Sequence, residues 1–194
     1  MSENTVSAQE RIEALTLEIQ AKRNELNELR HSLPQEEVGE YTFAGIDGKE
    51  YQLTDLFGNK NDLIVIHNMG KSCPYCTLWA DGFEGMREHL ENRAALALVS
   101  PNSPEEVREF AGGRGWKFRA VSSAGNSFSS DMGYESEKGG QMPGISTFVR
   151  SEDGRIRRVA TAPFGPGDDF CSAWHMFDLL AGGQDNWAPQ FSYK

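Results

Sequence analysis

The sequence predicts an α/β fold: a central mixed sheet flanked by helices, with an N-terminal helical extension and an N-terminal hairpin. Three observations carry this. Between Leu63 and Ser122, apolar runs alternate with amphipathic segments in the order strand, helix, strand, helix, strand, which implies parallel pairing through right-handed crossovers. Asp47-Gly48 and Asp153-Gly154 place tight turns between extended segments on either side of that unit. Finally, Cys73-Pro74-Tyr75-Cys76 stands where the apolar run Leu63 to Ile66 gives way to a helical pattern.

In chain order, Ile12, Leu15, Ile19, Leu26, Leu29 and Leu33 recur at helical steps among Glu, Lys, Arg, Asn and Gln. They mark an amphipathic helix from Ser7 to Leu33, ended by Pro34. The stripe fits a coiled-coil seam of about three heptads with Lys22 at one seam position. It packs on its own domain or on a neighbouring subunit, so a homodimer is one expectation. Residues 1–34 are read as this helix and residues 35–194 as the main domain.

Tyr41 to Ala44 and Glu50 to Leu53 form a hairpin, and Thr54 to Gly58 a single helical turn. The apolar strand follows, then the helix carrying Leu78, Trp79, Phe83, Met86 and Leu90, then a buried strand from Ala94 to Val99. Ser103-Pro104-Glu105-Glu106 combines an N-cap serine, proline at the first helical position and an acid three residues after the cap. It opens a helix that Gly112-Gly113 is expected to close. Phe118 to Ser122 returns as a strand. Ser122 to Gly144, rich in Ser and Gly, reads as a long functional or mobile loop with a short helix. Ile145 to Arg150 and Arg155 to Ala160 close as a hairpin, and Asp168 to Leu180 fits a C-terminal helix.

Composition narrows the function. The chain has 194 residues, enough for one domain with a substantial core. Its 19 basic and 29 acidic residues give a net charge of -10, which repels phosphate backbones and anionic lipid, so neither nucleic acid nor membrane is an expected partner. No apolar stretch approaches membrane-spanning length and no charged-then-apolar leader is evident, so the expected location is the cytoplasm. Three cysteines, two of them adjacent in a Cys-x-x-Cys, do not make a secreted disulfide scaffold; in a reducing compartment such a pair is more often catalytic or metal-binding.

Taken together, the segments from about residue 41 to residue 181 resemble the thioredoxin-like superfamily. Phe43 to Cys76, with its Asp-Gly-Lys hairpin and Leu-Thr-Asp-Leu-Phe turn, looks like the opening of the peroxiredoxin-related and membrane-anchored thioredoxin branches. Cys73 to Phe83, Gly115-Trp116, Val121-Ser122-Ser123 and Phe177 to Leu180 are similar to a bacterial thioredoxin-like family of unknown function, family 899. The resemblance implies the fold and, by analogy, a thiol-disulfide reaction. Thioredoxins carry a cis-proline before the penultimate strand in a segment like Gly-Ile-Pro-Thr. The matching segment here is Gly144-Ile145-Ser146-Thr147, so either Ser146 takes that place with a trans bond or the loop is rebuilt. Glutaredoxins often carry Cys-Pro-Tyr-Cys, but their Thr-Val-Pro segment and Gly-Gly pair are missing. The peroxiredoxin pattern Pro-x-x-x-Thr-x-x-Cys is missing too.

The expected chemistry is attack by a Cys73 thiolate with Cys76 as the resolving thiol, on an unidentified disulfide substrate or with an unidentified thiol reductant, and without a cofactor. The helix N-terminus beside Cys73 favours the thiolate, and Lys71 would favour it further. Cys73 is expected to be the exposed member of the pair. His67 and Asp81 are the candidate proton relays, since the strand lacks the buried acid of thioredoxins. Trp79 is expected to pack close to the dithiol helix. Two further readings compete: a non-catalytic binding or assembly module, and metal capture in which Cys171 and His175, at i and i+4, would complete a Cys3His set.

Overall fold

Residues 3–193 are described by a computed structural model, and the chain divides into a unit ending at Gln35 and a unit beginning at Glu36. The first unit contains one long helix, α1 (Glu3–Ser32). Pairs one turn apart support it locally, among them Gln20 with Asn24 at 3.0 Å and Lys22 with Glu25 at 2.7 Å. Its apolar seam side chains are exposed.

The second unit runs β1 (Glu36–Val38), β2 (Thr42–Gly45), β3 (Glu50–Gln52), α2 (Leu53–Leu56), β4 (Asp62–His67), α3 (Pro74–Arg93), β5 (Ala95–Ser100), α4 (Pro104–Arg114), β6 (Arg119–Ser122), α5 (Phe128–Asp131), β7 (Gly144–Arg150), β8 (Ile156–Pro163) and α6 (Ser172–Phe177). The strands form one sheet in the order β1-β8-β7-β4-β5-β6-β2-β3. β4, β5 and β6 pair in parallel, as the helical crossovers require, and the remaining neighbours are antiparallel. The resulting class is the mixed α/β sheet expected from the sequence.

The two-residue period of the strands divides the core between the faces of the sheet. Leu63, Val65, Ala97 and Val99 pack with Phe43, Phe128 and Phe148 on one face. Ile64, Ile66, Leu96 and Leu98 pack on the other with Trp79, Ala80 and Phe83 of α3 and with Trp174 of α6. The dithiol helix therefore lies on the second face. The face on which a side chain near the end of β4 lies decides whether it can reach α3.

Local signals mostly hold. Ser103 Oγ accepts from the Glu106 N–H at 3.3 Å and the Glu106 carboxylate accepts from the Ser103 N–H at 3.2 Å, a reciprocal cap on α4. α4 does not stop at Gly112-Gly113; it continues to Arg114 and ends at Gly115, whose φ of 74° is the left-handed turn-off that glycine supplies. The C-terminal helix is shorter than expected, six residues. The Asp168 carboxylate accepts from the N–H groups of Gly165, Phe170 and Cys171, and this turn occupies the chain where the helix was expected to begin. β1, absent from the sequence reading, acquires strand geometry by pairing with β8. Among the described residues no helix is long and apolar enough to cross a membrane.

The loop between β6 and β7 contains α5 and folds back so that Tyr134 donates to the Ile145 carbonyl at 2.7 Å. Gly144 sits beneath that ring: a Cβ there would press into Tyr134 and stand 2.6 Å from the Ala162 carbonyl. Gly144→Ala is expected to destabilise the fold by about 1 to 3 kcal/mol through overpacking. Urea denaturation measures it, and an unchanged midpoint would show that Tyr134 moves aside freely.

Candidate functional site

The dithiol is held by the turn that joins β4 to α3. The Asn68 N–H donates to Val99 O at 3.0 Å, tying the turn to β5. The Asn68 side-chain oxygen accepts from the Gly70 N–H at 2.7 Å, and Asn102 Oδ1 accepts from the Lys71 N–H at 2.8 Å. Asn102 in turn donates through Nδ2 to Glu106 at 3.1 Å. Asn68 and Asn102 thus fix the path into α3, and the sequence reading named neither. Asn102 is 31 positions from Lys71, and nothing in its local sequence points back to the dithiol.

Cys73 is the N-cap of α3, with Pro74 in the first turn. Its Sγ accepts from the Cys76 N–H at 3.0 Å, the place a capping oxygen would take. Its carbonyl accepts from the Thr77 N–H at 3.1 Å and from Thr77 Oγ1 at 3.0 Å. The Cys73 thiol pKa is lowered from 9.0 to about 7. The hydrogen bond from the Cys76 thiol is the largest cause; burial opposes it, and the Cys76 and Tyr75 N–H groups assist. Cys76 moves the other way. Donation to Cys73 and then burial hold its proton on.

The two thiols are thereby differentiated by hydrogen bonding more than by access. Cys73 is 7% exposed and Cys76 3%, so the expectation of an exposed Cys73 is corrected: both are buried. Lys71 is also reassigned. Its ammonium pairs with Glu106 at 2.8 Å, which raises its own pKa and holds the Glu106 carboxyl below the usual range. The depression at Cys73 comes from Cys76 and the α3 backbone.

Neither expected relay is aimed at the dithiol. Asp81 accepts from Arg114 and, at 2.8 Å, from Trp116 Nε1, and so joins α3 to the end of α4. His67 is 3% exposed. Its ring stacks on Tyr134 with centroids 3.7 Å apart and on Phe128 at 5.6 Å, both of them on the face opposite α3. Burial, and then the Arg158 charge, lower its pKa to about 3.

Ser146 lies inside β7, opposite Val65, and its fully buried Oγ meets His67 Nε2 at 2.9 Å. The residue immediately before β7 is Pro143, whose carbonyl accepts from the Phe164 N–H at 3.0 Å. Ser146 thus meets His67 on the face opposite α3. Trp79 is buried between Tyr75 and Phe164.

Cys171 precedes α6, buried, with its thiol pKa raised by that burial. His175 is exposed and lies 3.6 Å from Asp169. Among the described residues no group of three or more His, Cys, Asp or Glu side chains is placed to hold a metal ion. Cys171 and His175 therefore do not complete a set with Cys73 and Cys76.

The family described as "Bacterial protein of unknown function (DUF899)" matches residues 2–193. No protein of curated function matches the sequence. Solved structures share the fold at low identity. The peroxidoxin BcpB of Mycobacterium tuberculosis is 19% identical with a TM-score of 0.55, over 66% of this chain and 84% of that one. A peroxiredoxin-like protein from Aquifex aeolicus is 14% identical with a TM-score of 0.53, over 66% and 74%. A hypothetical protein from Sinorhizobium meliloti 1021 is 16% identical with a TM-score of 0.52, over 83% and 90%. These likenesses make the fold thioredoxin-like.

Proposed function

The chain belongs to the bacterial DUF899 family, and on that premise we propose that it is a thiol-disulfide oxidoreductase with Cys73 as nucleophile and Cys76 as resolving thiol. The observation that carries the reading is the split between the two sulfurs. Cys73, at the start of α3, is lowered to about 7 while Cys76 is pushed up. An attacking thiol is most effective with a pKa near the ambient pH.

The Cys73 thiolate attacks one sulfur of a substrate disulfide; a mixed disulfide forms and one substrate thiolate leaves. Cys76 no longer donates to a thiolate at that stage, so the main cause holding its proton is gone. Its proton passes to the departing thiolate. The Cys76 thiolate then attacks Cys73 Sγ, releasing the second substrate sulfur as a thiolate and leaving a Cys73–Cys76 disulfide. Two electrons have moved from protein to substrate.

Alkylation across pH, read by mass spectrometry, tests the premise. The rate at Cys73 should rise with pH, reach half its maximum near 7 and then level off, because only the thiolate reacts. Cys76 should stay unmodified until the protein is denatured. A midpoint at Cys73 near 9 would remove the reading. Equilibration against dithiol buffers should also interconvert a dithiol and a form lacking two hydrogens. A pair that never oxidises would favour a binding module instead.

A further inference from the structure

We propose that α1 is a dimerisation element that forms a parallel, in-register two-stranded coiled coil with a second copy of this chain. The helix is 30 residues long, about 45 Å at 1.5 Å per residue. Helices in water owe most of their stability to packing an apolar face. Here the seam residues Ile12, Leu15, Ile19, Leu26 and Leu29 are between 39% and 58% exposed. Among the described residues of the first unit, nothing packs on that face.

The heptad phase supplies the choice of partner. With Ile12, Ile19 and Leu26 at the a positions, Leu15, Lys22 and Leu29 fall at d. Ile12 and Ile19 at a with Leu15 and Leu29 at d is the combination that favours two parallel strands; Leu26 and Lys22 depart from it. Lys22 interrupts the seam at a d position, at some cost in stability. Its ammonium already turns to Glu25 at 2.7 Å, which places the charge at the rim.

The flanking positions are complementary to a second copy in one orientation. Glu18 and Glu25 occupy g; Arg23 and Arg30 occupy e. In a parallel pair each g residue faces the e residue five positions further along the other helix. Glu18 then meets Arg23 and Glu25 meets Arg30, once on each side of the seam. An antiparallel pair overlapping the whole seam puts g against g, which sets glutamate against glutamate at its centre. Leu17, at f, lies off the seam and stays exposed in either arrangement.

Sedimentation of the full-length protein should show a dimer at micromolar concentration. Reversing Glu18→Arg with Glu25→Arg should raise the dissociation constant by roughly a hundredfold, as should Arg23→Glu with Arg30→Glu. Mixing the two variants should restore a heterodimer. Glu18, Arg23 and Glu25 are exposed and Arg30 is half-buried; far-UV circular dichroism of each variant should match the parent. Orientation is read separately with Leu29→Cys in a background of Cys73→Ser, Cys76→Ser and Cys171→Ala. Parallel pairing brings the two position-29 thiols together and gives a cross-linked dimer on oxidation; antiparallel pairing separates them. A monomer at every concentration, a dimer indifferent to both charge reversals, or no cross-link at position 29 would each overturn the proposal.

Discussion

Cys73→Ser is expected to lower turnover of a model disulfide by at least about a hundredfold, since serine offers no nucleophile of comparable reactivity at neutral pH. Cys76→Ser should behave differently. It retains the attacking thiol and loses the resolving one, so the protein should accumulate as a mixed disulfide with its substrate, visible as a mass adduct on Cys73. Cys76→Ala adds an electrostatic test. Without the Cys76 thiol, the largest cause of the depression at Cys73 is removed, and the alkylation midpoint should move from about 7 toward 9.0. Turnover in Cys73→Ser equal to the parent would end the proposal outright. An unmoved midpoint in Cys76→Ala would instead transfer the depression to the α3 backbone.

Acidification from pH 7 to pH 5 is expected to destabilise the fold by about 2 kcal/mol through His67 alone. The folded pKa is about 3 and the reference value 6.5. Above pH 6.5 the ring is neutral in both states and the full stability is present. Between 6.5 and 3 the unfolded chain binds a proton that the folded protein does not, so stability falls by about 1.4 kcal/mol for each unit of pH lost. The physical source is burial among Phe128, Tyr134 and Ser146, with Arg158 adding a like charge. Urea midpoints at both pH values, compared with the paired variant His67→Phe and Ser146→Ala, isolate the contribution. That pair keeps a ring in the stack and removes both polar partners together, leaving neither buried and unpaired. Its pH slope should be shallower by about one proton, and an identical slope would show that the His67 ring is protonated in the folded protein.

How much could be read without coordinates follows from the range of each interaction. The crossover unit was legible because apolar periodicity and caps are local: Ser103 and Glu106 are three residues apart and cap each other in the structure as their spacing implies. The hairpin turns were legible for the same reason. The C-terminal helix was overextended because Asp168, read as a helix residue, spends its carboxylate on a turn. β1 was missed because Glu36, Glu37 and Val38 carry little strand signal; β8 supplies their partners from 118 to 122 positions away.

The site divides the same way. Placement of Cys73 at a helix start, with Cys76 one turn on, depends on a four-residue segment and an N–H donated across it. Those are properties of the local chain, and they follow from residue order alone. What Lys71, His67, Asp81 and Ser146 do is set by Glu106, Arg114, Trp116 and the pairing of β7 with β4. Those roles, and the burial of both thiols, come from long-range packing. A side chain with several attainable partners pairs with whichever one the fold brings within hydrogen-bond distance, and spacing along the chain does not encode that choice.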